Sequence, residues 1–284
     1  MIQQQKRIAA IHDISGFGKC SLTVALPILS AAGIETSVVP TAVLSTHTGG
    51  FTGFTYRDLT EDIRPFMQHW KSLNLEFDAI YTGFLGSFEQ LELMKEVFDA
   101  FKSKETLILV DPVMADNGQL YSIFSPEFAL GMRSLCEKAD IIVPNITEAS
   151  LLVGEPYCEG PYSKDYIEML LKKLSNLGVN KIVLTGVFFD EENLGAATYE
   201  KDSNKVEYAF AKRIPGNYHG TGDVFGSALL SALLNGLGLG QAAQIAVNFT
   251  VHSIQLTFEA KTDHRFGVNF EQSIPFFLKE LGLV

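Results

Sequence analysis

His219-Gly220-Thr221-Gly222-Asp223-Val224-Phe225-Gly226 sets glycines on both sides of a carboxylate and opens a segment, Ser227 to Leu234, that reads as a buried helix. Gly220 and Gly222 let the backbone approach a ligand closely, and the first N–H groups of a helix, unpaired within it, attract negative charge. Asp223 then stands beside an anion hole. A carboxylate placed next to a phosphate repels it unless it takes a proton, so the arrangement points to a base that activates a hydroxyl for attack on a terminal phosphoryl group. An ordinary loop with Asp223 as a helix cap fits the same tetrad equally well.

Around that turn the chain alternates short apolar runs with longer helical patterns, the rhythm of a parallel sheet covered on both faces. Strands are expected over Arg7–Ile11, Thr36–Val39, Ala79–Thr82, Leu107–Val110, Ile141–Val143 and Lys181–Leu184. A helix over Ser21–Ala32, ended by Gly33, follows the first of them. Leu59–Leu73, Phe88–Phe101 and Lys164–Leu177 carry apolar residues at i, i+3, i+4 spacing and read as helices. Gly195–Tyr199 and Val206–Phe210 flank the polar turn Asp202-Ser203-Asn204 and read as an antiparallel hairpin. The last third is helical, over Gly222–Leu234, Gly240–Phe258 and Phe270–Leu281. No linker, repeat or low-complexity tract divides the chain, so residues 1–284 are expected to form one α/β domain, three layers deep.

Composition narrows the partners. With 284 residues, 46% of them hydrophobic, the chain has ample core for a single large domain. A formal net charge of −11 gives no general attraction to nucleic acid or to an anionic membrane, so a substrate phosphate has to be held by local donors and a metal. That favours a small-molecule partner. The three cysteines, Cys20, Cys136 and Cys158, have unrelated spacings that form neither a disulfide framework nor a zinc pattern. Met1–Arg7 leads straight into an apolar strand of five residues, which reads as neither signal peptide nor membrane span, and a cytoplasmic location is expected.

In such a sheet ligands bind beyond the carboxyl ends of the strands. Asp111-Pro112-Val113-Met114 directly follows the strand Leu107–Val110, with Asp116 five residues on, and an acidic pair there suits hydrated magnesium facing a phosphate chain. A loop-initiating Asp-Pro is the plainer alternative. Pro144-Asn145-Ile146-Thr147-Glu148 follows Ile141–Val143, placing Asn145 and Glu148 on one face of a first helical turn, where both reach toward a metal. The same pair also fits a capping box. Two carboxylate-bearing strand ends and one anion-hole helix in a single sheet converge on one edge.

Read together, the glycine turn ending in Asp223, Asn145-x-x-Glu148, Asp111-Pro112-Val113-Met114, Tyr81-Thr82-Gly83 and Ser45-Thr46-His47-Thr48-Gly49 occur in the order found in the ribokinase-like superfamily. The chain resembles its pyridoxal kinase branch from about Ile8 to Phe258. Gly-Thr-Gly-Asp and Asn-x-x-Glu mark the superfamily, while Ser-x-His-Thr-Gly and the Tyr-Thr-Gly strand end point to the vitamin B6 kinases.

The resemblance implies a ribokinase-like fold and ATP-dependent phosphorylation of the 5′-hydroxymethyl group of pyridoxal, pyridoxine or pyridoxamine. Asp223 corresponds to the catalytic base, with Gly220, Thr221 and Gly222 donating N–H groups to the developing phosphoryl charge. Asp111 and Glu148 correspond to metal-side positions, and Asp111, Asp116, Asn145, Glu148 and Thr185 to positions around the nucleotide phosphates. Arg213–Tyr218 is expected beside the nucleotide. Thr48 and Tyr81 match ring-binding positions, with His47 adding to that wall. ATP and Mg2+ are the implied cofactors, the family admits a monovalent cation as well, and its members imply a homodimer.

The first glycine turn departs from the branch. B6 kinases commonly show a Ser-His pair after the first strand, whereas this chain has Ile11-His12-Asp13-Ile14-Ser15-Gly16-Phe17-Gly18. Asp13 is the substrate contact expected there. An Asp-x-Ser-Gly turn is closer to the hydroxymethylpyrimidine kinases of the same superfamily, although those usually carry a cysteine in the turn before the phosphate-binding helix. His12 and His219 fit hydrogen-bonded loop histidines as well as catalytic ones. Hydroxymethylpyrimidine phosphorylation and a non-catalytic vitamer or nucleotide sensor are the alternatives. A sugar kinase fits less well, since the span from Ile11 to Thr36 leaves little room for a lid of extra strands.

Overall fold

The computed structural model describes residues 5–284; of the N-terminal stretch read above, residues 1–4 lie outside it. Strands and helices run in the order β1 (Arg7–Ser15), α1 (Leu22–Ala31), β2 (Glu35–Leu44), β3 (Tyr56–Asp58), α2 (Thr60–Ser72), β4 (Ala79–Thr82), α3 (Phe88–Phe101) and β5 (Leu107–Val110). The middle of the chain forms β6 (Ala115–Asp116), β7 (Gln119–Leu120), α4 (Pro126–Cys136), β8 (Ile141–Ile142), α5 (Ile146–Val153) and α6 (Lys164–Ser175). The remainder is β9 (Lys181–Val187), β10 (Asn193–Glu200), β11 (Lys205–Lys212), α7 (Thr221–Leu234), α8 (Leu239–Glu259), a 3-10 turn at His264–Phe266 and α9 (Phe270–Glu280).

Nine strands form one sheet in the order β11-β10-β9-β8-β5-β4-β1-β2-β3. The six from β9 to β2 are parallel. The expected hairpin, β10 with β11, continues the sheet antiparallel at one edge, and β3 closes the other. β6 and β7 make a separate two-stranded ribbon.

Period-two alternation divides the core. Ile80, Ile108, Val110, Ile142, Ile182 and Leu184 face the layer of α2 to α6. Their neighbours Ala79, Tyr81, Leu109, Ile141, Val143 and Val183 face the layer of α1, α7, α8 and α9. Residues buried on both faces explain why these strands read as unbroken apolar runs. The expected three-layer α/β/α architecture of the ribokinase-like class is the one observed.

Differences lie at boundaries, in one missed helix and in three missed short strands, β3, β6 and β7. β1 runs to Ser15 and β2 to Leu44, well past the expected ends at Ile11 and Val39, because both strands continue to pair beyond them. Pro126–Cys136 forms a helix that was not expected, starting with Pro126 in its first turn and burying Phe128, Met132 and Leu135. Among the described residues no helix is long and apolar enough to cross a membrane.

Candidate active site

The carboxyl ends of β1, β4 and β5 meet the start of α7. Gly220 caps that helix in the left-handed conformation, φ 75°, and a Cβ there would stand 2.0 Å from the Lys19 carbonyl oxygen. Only glycine fits on both counts. The Lys19 N–H in turn donates to the Phe266 carbonyl, 3.1 Å, so the turn after β1 is wedged between two turns of the C-terminal third. Thr221, Gly222 and Asp223 form the first turn of α7, whose N–H groups lack intrahelical acceptors by the geometry of a helix start.

Asp223 retains 15% of its side-chain surface and Oδ1 lies 4.0 Å from Nδ1 of fully buried His12. Burial pushes the Asp223 carboxyl up to about 7; the nearby Ser21 N–H pulls it down and the Asp13 charge pushes it further up. His12 offers no countercharge, since burial pushes its imidazole down to about 3. A carboxylate poised near neutrality at the mouth of an anion hole has the properties of a general base.

Asp13 is turned inward rather than toward a ligand. It is 4% exposed, its Oδ1 accepts from the Ser21 hydroxyl at 2.5 Å and its Oδ2 from the Ser15 hydroxyl at 3.0 Å. The expected substrate contact is corrected on this ground: β1 continues through Asp13, so the side chain lies between strand and α1. Tyr81 is likewise not a pocket wall. Its ring is 0% exposed and edge-on to His12, centroids 4.4 Å apart, with its hydroxyl against Gly226 of α7. Sharing a face with Ala79, it has to point into the α7 layer.

Asp111 is buried at the end of β5, its N–H bonded to the Thr82 carbonyl. Burial, then the charges of Glu148 and Asp223, push its carboxyl well up. Glu148 and Asn145 form the capping box, the Asn145 side chain accepting from Glu148 N–H and Glu148 Oε2 accepting from Asn145 N–H, both at 2.9 Å. Glu148 Oε1 also accepts from Met114 N–H at 3.1 Å, and Asn145 Nδ2 donates to the Ala115 carbonyl. The box therefore holds Glu148 against the segment after Asp111. Burial raises Glu148 as well, resisted by those N–H groups.

No ion pair among the described residues involves Asp111 or Glu148. No three acidic, His or Cys side chains among them form a cage for a metal. Magnesium needs none, taking one or two carboxylates and filling its shell with water and phosphate, and the acidic pair fits that pattern. Asp116 lies outside this buried pair, exposed and bonded to its neighbour Asn117. Thr185, in β9, donates its N–H to the Pro144 carbonyl beside Asn145, which brings it to the same edge.

The Ser45–Gly49 segment reaches the glycine turn through two imidazoles. His47 and His219 rings are 5.1 Å apart, and a Cβ on Gly49 would strike His219. His47 accepts from Gly49 N–H at Nδ1 and pairs with the Arg265 carbonyl at Nε2, 2.7 Å, which makes Nε2 the protonated nitrogen. His47 is thus a tie between loops, with Thr48 exposed beside it. Phe17, Phe51 and Phe266 pack around this mouth.

Cys20 and Ser21 were missed. Cys20 Sγ lies 3.4 Å from where a Gly220 Cβ would stand, so a thiol does border the glycine turn, from the other end of the chain. Burial and the Asp223 and Asp13 charges raise it, which keeps it a thiol. No local pattern at Lys19-Cys20-Ser21 announces contact with residue 220.

A profile of the phosphomethylpyrimidine kinase family matches residues 27–267. A Bacteroides thetaiotaomicron protein described as a phosphomethylpyrimidine kinase and solved with pyridoxal is 38% identical, with 96% of each chain covered and a TM-score of 0.92. The pyridoxal kinase of Lactobacillus plantarum is 31% identical over 96% of this chain and 97% of its own, with a TM-score of 0.88. The pyridoxine kinase of Bacillus subtilis is 30% identical over 189 residues, 64% of this chain and 65% of that protein.

Proposed function

The chain belongs to the phosphomethylpyrimidine kinase family, in the ribokinase-like superfamily, and from its likeness to pyridoxal and pyridoxine kinases we infer that it is a pyridoxal kinase. It transfers the terminal phosphoryl group of ATP to the 5′-hydroxymethyl group of a vitamin B6 vitamer. The carrying observation is the largely buried Asp223 carboxyl, raised to about 7 at the first turn of α7. Likeness to a protein solved with pyridoxal supports the choice of acceptor.

In this reading Asp223 takes the hydroxyl proton as the oxygen attacks in line. The N–H groups of the Gly220–Gly222 turn meet the charge that develops on the phosphoryl oxygens. Asp111 and Glu148 would hold Mg2+, which would supply neutralisation of the phosphate charge. Asn145, Thr185 and Asp116 border the phosphate chain, and His47 and Thr48 shape the mouth over the vitamer. A homodimer and a cytoplasmic location belong to the same reading.

The test is ADP release from MgATP against pyridoxal, pyridoxamine, pyridoxine and hydroxymethylpyrimidine in parallel, with Asp223→Asn as control. A vitamer preference lost in the variant supports the reading. Preference for the pyrimidine moves the protein to thiamine synthesis, and absence of turnover revives a sensor.

A further inference from the structure

Ser21 holds a backbone conformation that L-residues rarely adopt, φ 55° and ψ −130°, at the N-cap of α1. Such conformations persist where surrounding contacts over-determine them. Here the contacts are specific. The carbonyl accepts from Val24 and Ala25 N–H at 3.0 and 2.9 Å, the residue bridges to Ile14 of β1, and the buried hydroxyl donates to Asp13 Oδ1 at 2.5 Å. None of these bonds caps α1 with the Ser21 side chain, so the hydroxyl is committed to Asp13 alone.

The turn that ends in Ser21 is also the surface on which the glycine turn rests. The Lys19 carbonyl and Cys20 Sγ abut Gly220, and α1 packs along α7 behind them. Asp223 is three residues further on, within reach of the Ser21 N–H, although that contact falls short of regular hydrogen-bond geometry.

We propose that Ser21 is a positioning residue for phosphoryl transfer: by tying Asp13 to the Lys19–Ser21 turn, it fixes the seat of the Gly220–Asp223 turn and so the place of the base. Asp13 acts in this through Ser21 and not by touching the vitamer. The proposal rests on Asp223 being the base. Its cost is the strain at Ser21, which glycine would relieve.

Ser21→Gly tolerates the backbone conformation and keeps the N–H while removing the hydroxyl. Ser21→Ala removes the hydroxyl and keeps the strain. With MgATP and pyridoxal, both are expected to lose about tenfold in kcat, with KM for either substrate within about twofold, as a misplaced catalytic group does. Ser21→Gly relieves the strain but leaves Asp13 Oδ1 without its donor, so its melting temperature should fall, and by less than that of Ser21→Ala. Combining Ser21→Gly with Asp13→Ala should lower kcat no further than the worse single variant. A kcat loss below about threefold in both Ser21 variants, a rise in KM instead, or additive losses in the cycle would overturn the proposal. Should Asp13→Ala not fold, kcat and KM of Ser21→Gly decide alone. Full turnover in Asp223→Asn marks failure of the base assignment, a result separable from any of these.

Discussion

His12 Nδ1 stands 4.0 Å from Asp223 Oδ1, yet the two do not form a charged pair, because neither imidazole nitrogen has a hydrogen-bond partner and burial holds the ring neutral. His12 should therefore contribute nothing to the acid limb of the kcat profile, and turnover should rise through pH about 7 as the Asp223 carboxyl loses a proton. In a 15N-histidine spectrum the His12 ring should stay neutral down to pH about 5, well above the value of about 3 to which burial lowers it. An imidazolium signal from His12 at pH 6 would refute this.

Asp223 should also weigh on stability. Its carboxyl binds a proton more tightly folded than unfolded, so its contribution is intact below the ordinary carboxylate range and is lost as pH rises through about 7. Asp223→Asn should then be more stable than the parent by about 2–4 kcal/mol at pH 8, a gain that shrinks to nothing near pH 4. Urea unfolding of both at the two pH values checks it; a less stable variant at pH 8 contradicts the assigned burial cost.

Gly220→Ala must strain φ and push against the Lys19 carbonyl. A loss of about 2–4 kcal/mol is expected, with turnover falling in step. Gly33→Ala is the comparison, since Gly33 is left-handed at φ 81° but has no atom within 4 Å of its Cβ position, and should lose only about 1 kcal/mol. Equal losses at both sites would show that the contact with Lys19 is soft.

Glu148→Gln sets an amide NH2 against N–H groups that now point at carboxylate oxygens, those of Met114 and Asn145. Stability should fall by about 1–2 kcal/mol and the free Mg2+ needed for half-maximal turnover should rise about tenfold. Titration of turnover against free Mg2+ reads the second effect, and an unchanged midpoint would remove Glu148 from the metal side.

The layers were legible because strands buried on both faces leave short, uninterrupted apolar runs, and the Asn145–Glu148 box because its two bonds span only three residues. Tyr81 was misplaced although the signal was present: parity with Ala79 already sends it to the α7 face. Asp13 was misplaced for a different reason. Nothing local says that β1 continues past Ile11, and the strand's pairing with β2 decides it. The helix at Pro126–Cys136 carries its apolar residues at helical spacing around Gly131 and could have been read. Ser21 could not, since its partners Asp13 and the residue 220 turn are joined to it only by the fold.

The wedge of Lys19 between the turns at Gly220 and Phe266 bears on how the protein is made. During synthesis the first strand and its turn emerge early, but their two flanking turns come some two hundred residues later. A chain truncated before α7 would lack Asp223, the Gly220–Gly222 turn and the packing partners of the β1 turn together.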